Sequence, residues 1–275
     1  MSLSLSKYGP WALVTGASSG FGAEYCSQLA DAGFNLVLVA RREDRLDELA
    51  NLLETRCCTQ NRVVPVDLSN LEFLAVLMEK TADIEVGLLV NNAGFASARP
   101  FLENDLKREI EMLQVNCQAQ MVLAHEFGVK MGARKRGGII FVSSIAGISY
   151  SPPWSSYAAS KAYTLALAES LWLDLKTQGV DVEVVCPGRV DTEFISVAEL
   201  NMDRANWLAR IFLAGMLPGE VVKDSLDGLG KKRVVVPGIN NKLAALGVAY
   251  LPRGLIMHIT AAVMTSVQPE QRGEK

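Results

Sequence analysis

Apolar runs alternate with helix-periodic segments along this chain, and the alternation begins with a run. Trp11, Ala12, Leu13, Val14 and Thr15 read as a buried strand that passes straight into a glycine-rich turn. A helix then extends to about Ala32, with Phe21, Cys26, Leu29 and Ala30 on its apolar side. Further strands are predicted at 35–40, 62–66, 87–91, 139–142, 180–185 and 233–236. Between them the spacing predicts a charged helix over 42–53, helices near 71–80 and 103–131, one from Ser155 onward and one near 220–229. Leu106, Ile110, Leu113, Val115, Met121, Val122 and Phe127 are the core candidates of the 103–131 segment. Strands alternating with helices predict an α/β fold, a doubly wound parallel sheet with right-handed crossovers. In such a sheet a ligand lies at the carboxyl ends of the strands.

Those strand ends carry the chemistry. Gly16, Gly20 and Gly22, with Ser18, Ser19 and Phe21 among them, end the first strand and open a helix. Glycines permit a tight turn and close backbone approach, and the helix N-terminus presents N–H groups to a pyrophosphate. The spacing is GxxxGxG rather than GxGxxG, and a plain strand-to-helix turn is the alternative. The second strand ends in Ala40, Arg41 and Arg42, where an acidic residue would accept from a ribose 2′-OH. Guanidinium instead suits a 2′-phosphate, unless the two arginines only start a charged surface helix. Ser144 follows the 139–142 strand, Tyr157 comes thirteen residues later, and Lys161 lies one helical turn beyond Tyr157. A phenol beside an ammonium loses its proton more easily, and a strand-end hydroxyl could bind the same substrate oxygen. Asn116, inside a predicted helix, is unfavourable by propensity and invites a reason.

The TGxxxGxG turn, Asn91-Asn92-Ala93-Gly94, Ser144, the YxxxK pair and the turn from Pro187 to Thr192 together resemble the short-chain dehydrogenase/reductase family over roughly residues 8–195. The resemblance implies a Rossmann-type fold in a single domain and a hydride transfer between NADP(H) and a carbonyl or secondary alcohol. It implies that Asn116, Ser144, Tyr157 and Lys161 are the catalytic set. Tyr157 would act as acid/base, Lys161 would lower its pKa and bind the nicotinamide ribose, Ser144 would hold the substrate oxygen, and Asn116 would anchor a relay water through a local helix irregularity. By the same resemblance Arg41, ahead of Arg42, meets the 2′-phosphate, Asp67 and Leu68 lie against the adenine, and Asn92, Ala93 and Gly94 close over the cofactor. Pro187, Gly188, Val190 and Thr192 would face the nicotinamide. Pairing through the long helices near 103–131 and 155–177, as a homodimer or homotetramer, is a further expectation. The alternatives are a non-catalytic NADP-binding sensor and a membrane-surface lipid ketoacyl reductase.

Composition narrows the picture. A chain of 275 residues that is 49% hydrophobic can bury one substantial core. A net charge of −3 gives no reason to expect nucleic acid, and the short basic runs at 134–136 and 231–233 read as solvated turns. Five scattered cysteines and two histidines offer no metal-ligand spacing, so no metal is expected. Cys186 is read as core packing rather than a nucleophile. Reduced thiols and a start without the pattern of a secretory leader give a cytoplasmic expectation.

The segment 193–218 is markedly apolar and is expected to form a lid over a hydrophobic substrate, with Tyr150, Pro152, Pro153 and Trp154 as further pocket walls. An ordinary helix pair packed on the body is the alternative. The apolar pieces at 243–251 and 255–264 are each shorter than the roughly twenty residues that span a bilayer. Two packed or subunit-contacting helices are expected there, ahead of peripheral membrane contact.

Overall fold

The computed structural model describes residues 3–97, 100–149, 152, 154–190, 205–206, 209–210 and 215–267. Among them seven strands form one sheet: β1 (Trp11–Thr15), β2 (Asn35–Ala40), β3 (Asn61–Pro65), β4 (Val86–Asn91), β5 (Gly137–Val142), β6 (Val180–Val185) and β7 (Val234–Val235). Their order is β3-β2-β1-β4-β5-β6-β7, and every neighbouring pair is parallel. The connections turn back between β1 and β4, which opens a crevice at the carboxyl ends of those two strands.

The α-helices bounded within the described residues are α1 (Leu5–Tyr8), α2 (Gly20–Asp31), α3 (Glu43–Cys57), α4 (Phe73–Lys80), α5 (Leu106–Leu113), α6 (Gln120–Arg134), α7 (Ser155–Lys176), α8 (Pro218–Gly228), α9 (Ile239–Tyr250) and α10 (Arg253–Ser266). Strand side chains alternate between two cores, as a period of two requires. Ala12, Val14, Leu36 and Leu38 pack with α2, α3 and α8 through Leu29, Leu53 and Leu226. Leu13, Val37 and Val39 pack on the opposite face with α4, α6 and α7 through Leu77, Phe127 and Ala168. Apolar layers on both sides explain why the strands read as unbroken apolar runs. The fold expected from the sequence is therefore the fold found.

One polar chain crosses the first core. Tyr25 donates to Ser225 Oγ at 2.7 Å, and Ser225 donates to Glu183 Oε1 at 2.8 Å. Glu183 sits on β6 with no exposed surface.

The long helix predicted at 103–131 is divided. A π turn, Gln114–Ala119, separates α5 from α6. The extra residue of a π turn shifts the phase of everything beyond it. Of the expected core residues, Val115 and Phe127 are buried, whereas Leu106, Ile110, Leu113 and Met121 are exposed. Glu109 and Met112 are the buried residues of α5. The expected lid at 193–218 lies mostly outside the described residues, as do Thr192, Tyr150 and Pro153.

Candidate active site

The turn after β1 depends on its glycines. Gly16 and Gly20 adopt φ of +70° and +54°, the left-handed region that favours glycine. A Cβ on Gly22 would stand 2.0 Å from the Gly16 carbonyl oxygen, so only glycine lets α2 start so close to the turn. Thr15 ties this turn to the end of β4: its Oγ1 accepts from the N–H groups of Asn92 and Ala93, both at 3.0 Å. The Asn92 side chain donates to the Thr15 carbonyl at 2.8 Å. The result is a backbone cradle at the start of α2, shaped for an anion.

Arg42 reaches across this cradle. Its Nη2 donates to Ser18 Oγ at 3.1 Å and to Ser19 Oγ at 3.0 Å. Arg41, expected to be the foremost of the pair, lines the same cleft but is exposed. Asp67 is held by its own turn, accepting from the Ser69 N–H and hydroxyl at 2.9 Å each, and Leu68 is buried beside it.

Ser144, Tyr157 and Lys161 come together where β5 meets α7. Ser144 caps a short 3₁₀ turn, its Oγ accepting from the Ala146 N–H at 3.1 Å. That turn lies against α7 so closely that a Cβ on Gly147 would stand 2.6 Å from the Lys161 carbonyl. Ser143 pins the same carbonyl, donating to it at 2.7 Å. Tyr157 is buried, hydrogen-bonds Ser144 and meets Trp154 edge-on at 5.6 Å. Lys161 Nζ donates to the Val142 carbonyl at 2.8 Å and lies 5.8 Å from the Tyr157 ring centre.

The electrostatics differ from the sequence expectation. Burial pushes the Tyr157 pKa up to about 12, opposed only by the hydrogen bond with Ser144. Burial also pushes Lys161 down to about 8, partly opposed by Cys117 and Cys186. Any lowering of Tyr157 by Lys161 is outweighed by desolvation, so the net shift is upward, with the ammonium directed at a carbonyl. Cys186 is buried with its thiol pushed up to about 12, in keeping with a packing residue.

Asn116 lies inside the π turn, which supplies the reason its position invited. Its Nδ2 donates to the Phe95 carbonyl and to Ser160 Oγ, both at 3.0 Å, and its Oδ1 accepts from the Phe95 N–H at 3.1 Å. The Asn116 carbonyl accepts from Thr164 Oγ1 at 3.3 Å. A Cβ on Gly94 would stand 2.9 Å from Asn116 Oδ1 and 3.3 Å from Lys161 Nζ, so glycine keeps that space open between the two side chains.

The glycine turn, Arg41, Arg42, Asp67, Ser144, Tyr157 and Lys161 line one cleft of about 790 Å³, whereas Asn116 stands behind its wall, fully buried. The cleft runs from Arg41, Arg42 and Asp67, past the glycine turn, to Ser144, Tyr157 and Lys161, and on between the turn that opens with Pro187 and Gly188 (the PG turn) and the two C-terminal helices. Leu243, Val248, Leu251, Ile256, Ile259 and Val263 make its far wall apolar.

The profile described as short chain dehydrogenase matches residues 10–203. The chain belongs to the short-chain dehydrogenase family. A 7beta-hydroxysteroid dehydrogenase of Collinsella aerofaciens is 30% identical over 236 residues, covering 86% of this chain and 89% of the relative. A structure reported for 7beta-hydroxysteroid dehydrogenase stereoselectivity superposes with a TM-score of 0.85 at 27% identity, over 94% of this chain and 98% of that one. A short-chain dehydrogenase from Sphingobium yanoikuyae in complex with NADPH superposes with a TM-score of 0.77 at 28% identity, over 97% and 99%.

One residue that motif reading missed supports the cleft wall of this short-chain dehydrogenase from behind. Asn241, in the first turn of α9, is buried and donates to the Pro237 carbonyl at 2.8 Å and to Met216 Sδ at 3.5 Å. A Cβ on Gly188 would stand 2.3 Å from Asn241 Oδ1. Met216 in turn bridges Val190, its N–H donating to the Arg189 carbonyl at 3.2 Å. Asn241 thus wedges the C-terminal helices against the PG turn. The signal in the sequence was faint: an asparagine just past Gly238, ahead of an apolar run.

Proposed function

We propose that the protein is an NADP(H)-dependent dehydrogenase/reductase acting on the carbonyl or secondary alcohol of a bulky, mostly apolar substrate. The observation that carries this reading is the meeting of Ser144, Tyr157 and Lys161 in the same cleft as the glycine cradle. The cradle fits a dinucleotide: a Cβ would fill the space at Gly22 or Gly94, and Arg42 stands over the serines where a phosphate-bearing ribose would need a cation. Gly16, Ser18, Ser19, Gly20, Phe21 and Gly22 would hold the pyrophosphate end, and Arg42 with Arg41 the 2′-phosphate. Asp67, Leu68, Asn92, Ala93 and Gly94 would line the middle, and Pro187, Gly188 and Val190 the nicotinamide end. NADP(H) supplies the hydride donor or acceptor when bound.

The residues supply the rest. Tyr157, protonated at neutral pH, gives its proton to the substrate oxygen in the reductive direction. Ser144 donates to that oxygen and fixes its distance from the phenol. Lys161, when charged, makes Tyr157 a stronger acid, and Asn116 holds the space beside it for a proton-relay water. The apolar far wall, with a relative named as a hydroxysteroid dehydrogenase, supports a ketone of sterol-like bulk. The exposed apolar residues Leu106, Ile110, Leu113 and Leu173 on α5 and α7 support pairing of copies through those helices, as a homodimer or homotetramer. The free cysteines support a cytoplasmic setting.

The test is oxidation of NADPH and of NADH, followed by nicotinamide absorbance, over a panel of steroid ketones and ketoacyl thioesters. NADPH-dependent turnover that Tyr157→Phe abolishes is the expected result. Tight NADPH binding with no turnover on any ketone would instead support the sensor.

A further inference from the structure

The hairpin of α9 and α10 presents apolar surface that the reaction does not use. At its tip Tyr250 is 81% exposed, Leu255 48% and Met257 48%, and the turn between the helices is exposed throughout. The inner side of the same hairpin lines the cleft through Val248, Leu251 and Ile256. Apolar surface therefore continues from the cleft to the outside of the molecule along this one element.

Charge separates this face from the apolar surface of α5–α7. There the exposed leucines stand among both signs, with Glu111, Glu126 and Asp174 beside Lys107, Arg108 and Lys176. Such a face is self-complementary and suits a second copy of the chain. Within the hairpin, from Ile239 to Ser266, the sequence holds no acidic residue but includes Lys242 and Arg253, in a chain whose net charge is −3. Two copies meeting through this hairpin would bring like charges together. An anionic bilayer surface would instead complement them, and tyrosine is suited to the boundary between headgroups and acyl chains. No helix among the described residues is long and apolar enough to cross a membrane, so contact would be with one surface.

We propose that the tip of this hairpin docks on an anionic phospholipid surface. Tyr250, Leu255 and Met257 enter the headgroup boundary, and Lys242, about two turns before Tyr250 on the exposed side of α9, meets lipid phosphates. Peripheral contact, which the sequence placed behind subunit contact, is thereby assigned to one face. Docking there turns the apolar end of the cleft toward the acyl region, giving a poorly soluble ketone a route that avoids water. This last consequence rests on the proposed activity; the docking does not.

The experiment is sedimentation of the full chain with vesicles of phosphatidylcholine alone and of phosphatidylcholine mixed with phosphatidylserine. Binding to the anionic vesicles only, weakened by added salt, is expected. Tyr250→Ser with Leu255→Ser should lower the bound fraction about tenfold through loss of two apolar anchors. Lys242→Glu should lower it also, while reduction of a water-soluble ketone stays unchanged in every variant. Absence of binding to either vesicle would overturn the proposal, as would binding that ignores all three substitutions. A change of assembly size in these variants, read by sedimentation velocity without lipid, would assign the face to a second copy and equally overturn it. A chain that binds vesicles but reduces no ketone would refute the activity and leave the docking standing.

Discussion

The ammonium of Lys161 is directed at the Val142 carbonyl, 2.8 Å away, while Tyr157 lies beneath it with its ring centre 5.8 Å from the same nitrogen. In the proposed mechanism the lysine acts on the phenol as a nearby charge, and only while it carries that charge. Burial brings its pKa to about 8, so the charge is lost as pH rises through that value. The reductive kcat/KM should fall on the alkaline side of about pH 8, because Tyr157 becomes a weaker acid once the ammonium is gone. A pH–rate profile checks this, and a flat profile well above that pH would refute it. Tyr157→Phe should lower kcat by about 10²–10⁴-fold while leaving NADPH affinity, measured by fluorescence titration, near that of the parent.

Arg42 and not Arg41 bridges the serines of the glycine turn. Arg42→Ala should raise the KM for NADPH by roughly 10- to 100-fold, the worth of a charge-assisted contact with a phosphate, and leave NADH nearly unaffected. Arg41→Ala should do less. A larger effect at Arg41 in paired kinetic titrations would return the assignment to the sequence expectation.

Glu183 makes the stability of the fold fall as pH rises. Burial raises its carboxyl pKa from 4.5 in the ordinary state to about 8 in the fold. The folded state thus binds more protons than the unfolded one between those values. Its stabilising contribution is full below about pH 4.5 and is lost as pH rises toward about 8. Glu183→Gln keeps an acceptor for Ser225 and removes the charge. It should raise thermal stability at pH 8 and above by on the order of a few kcal/mol, with little effect near the acidic end of the window. Thermal melts of both proteins across pH decide it; a stabilisation independent of pH would show that charge is not the cause.

Asn241 offers a test of the wedge behind the PG turn. Asn241→Ala removes the side chain that contacts Gly188 and frees the Pro237 carbonyl, which should destabilise the fold by about 1–3 kcal/mol. Because the PG turn lines the cleft, kcat should fall more than the melting temperature alone would suggest. A variant with parental kcat and a lowered melting temperature would confine Asn241 to a structural role.

The parts legible in the sequence were those whose cause is local. β1, β2 and β6 lie where their apolar runs were read, since a strand packed on both faces leaves an unbroken signature. Ser144, Tyr157 and Lys161 converge because a strand end and one helical turn set their spacing. What stayed hidden depended on the third dimension. The exposure of Leu106 and Ile110 follows from which face of α5 packs on the body, which a plain helical period does not contain. That Arg42 is the arginine which reaches Ser18 and Ser19 depends on the direction in which the chain leaves β2. The raised pKa of Tyr157 reflects burial, which a count of neighbouring charges omits. Asn241 acts on residues far away in the chain, and no motif includes it.

The π turn at Gln114–Ala119 makes chain length here as constrained as residue identity. Deleting one residue from this stretch would restore an ordinary helix and leave α6 close to its present facing, because the widened turn already absorbs the extra residue. Phe127 would keep its place against the sheet, whereas Asn116 would leave the turn from which it reaches Phe95 and Ser160 together. A substitution at this point alters one contact, whereas a deletion removes the turn that holds them all. Drift in this segment should therefore proceed by exchange of side chains at constant length.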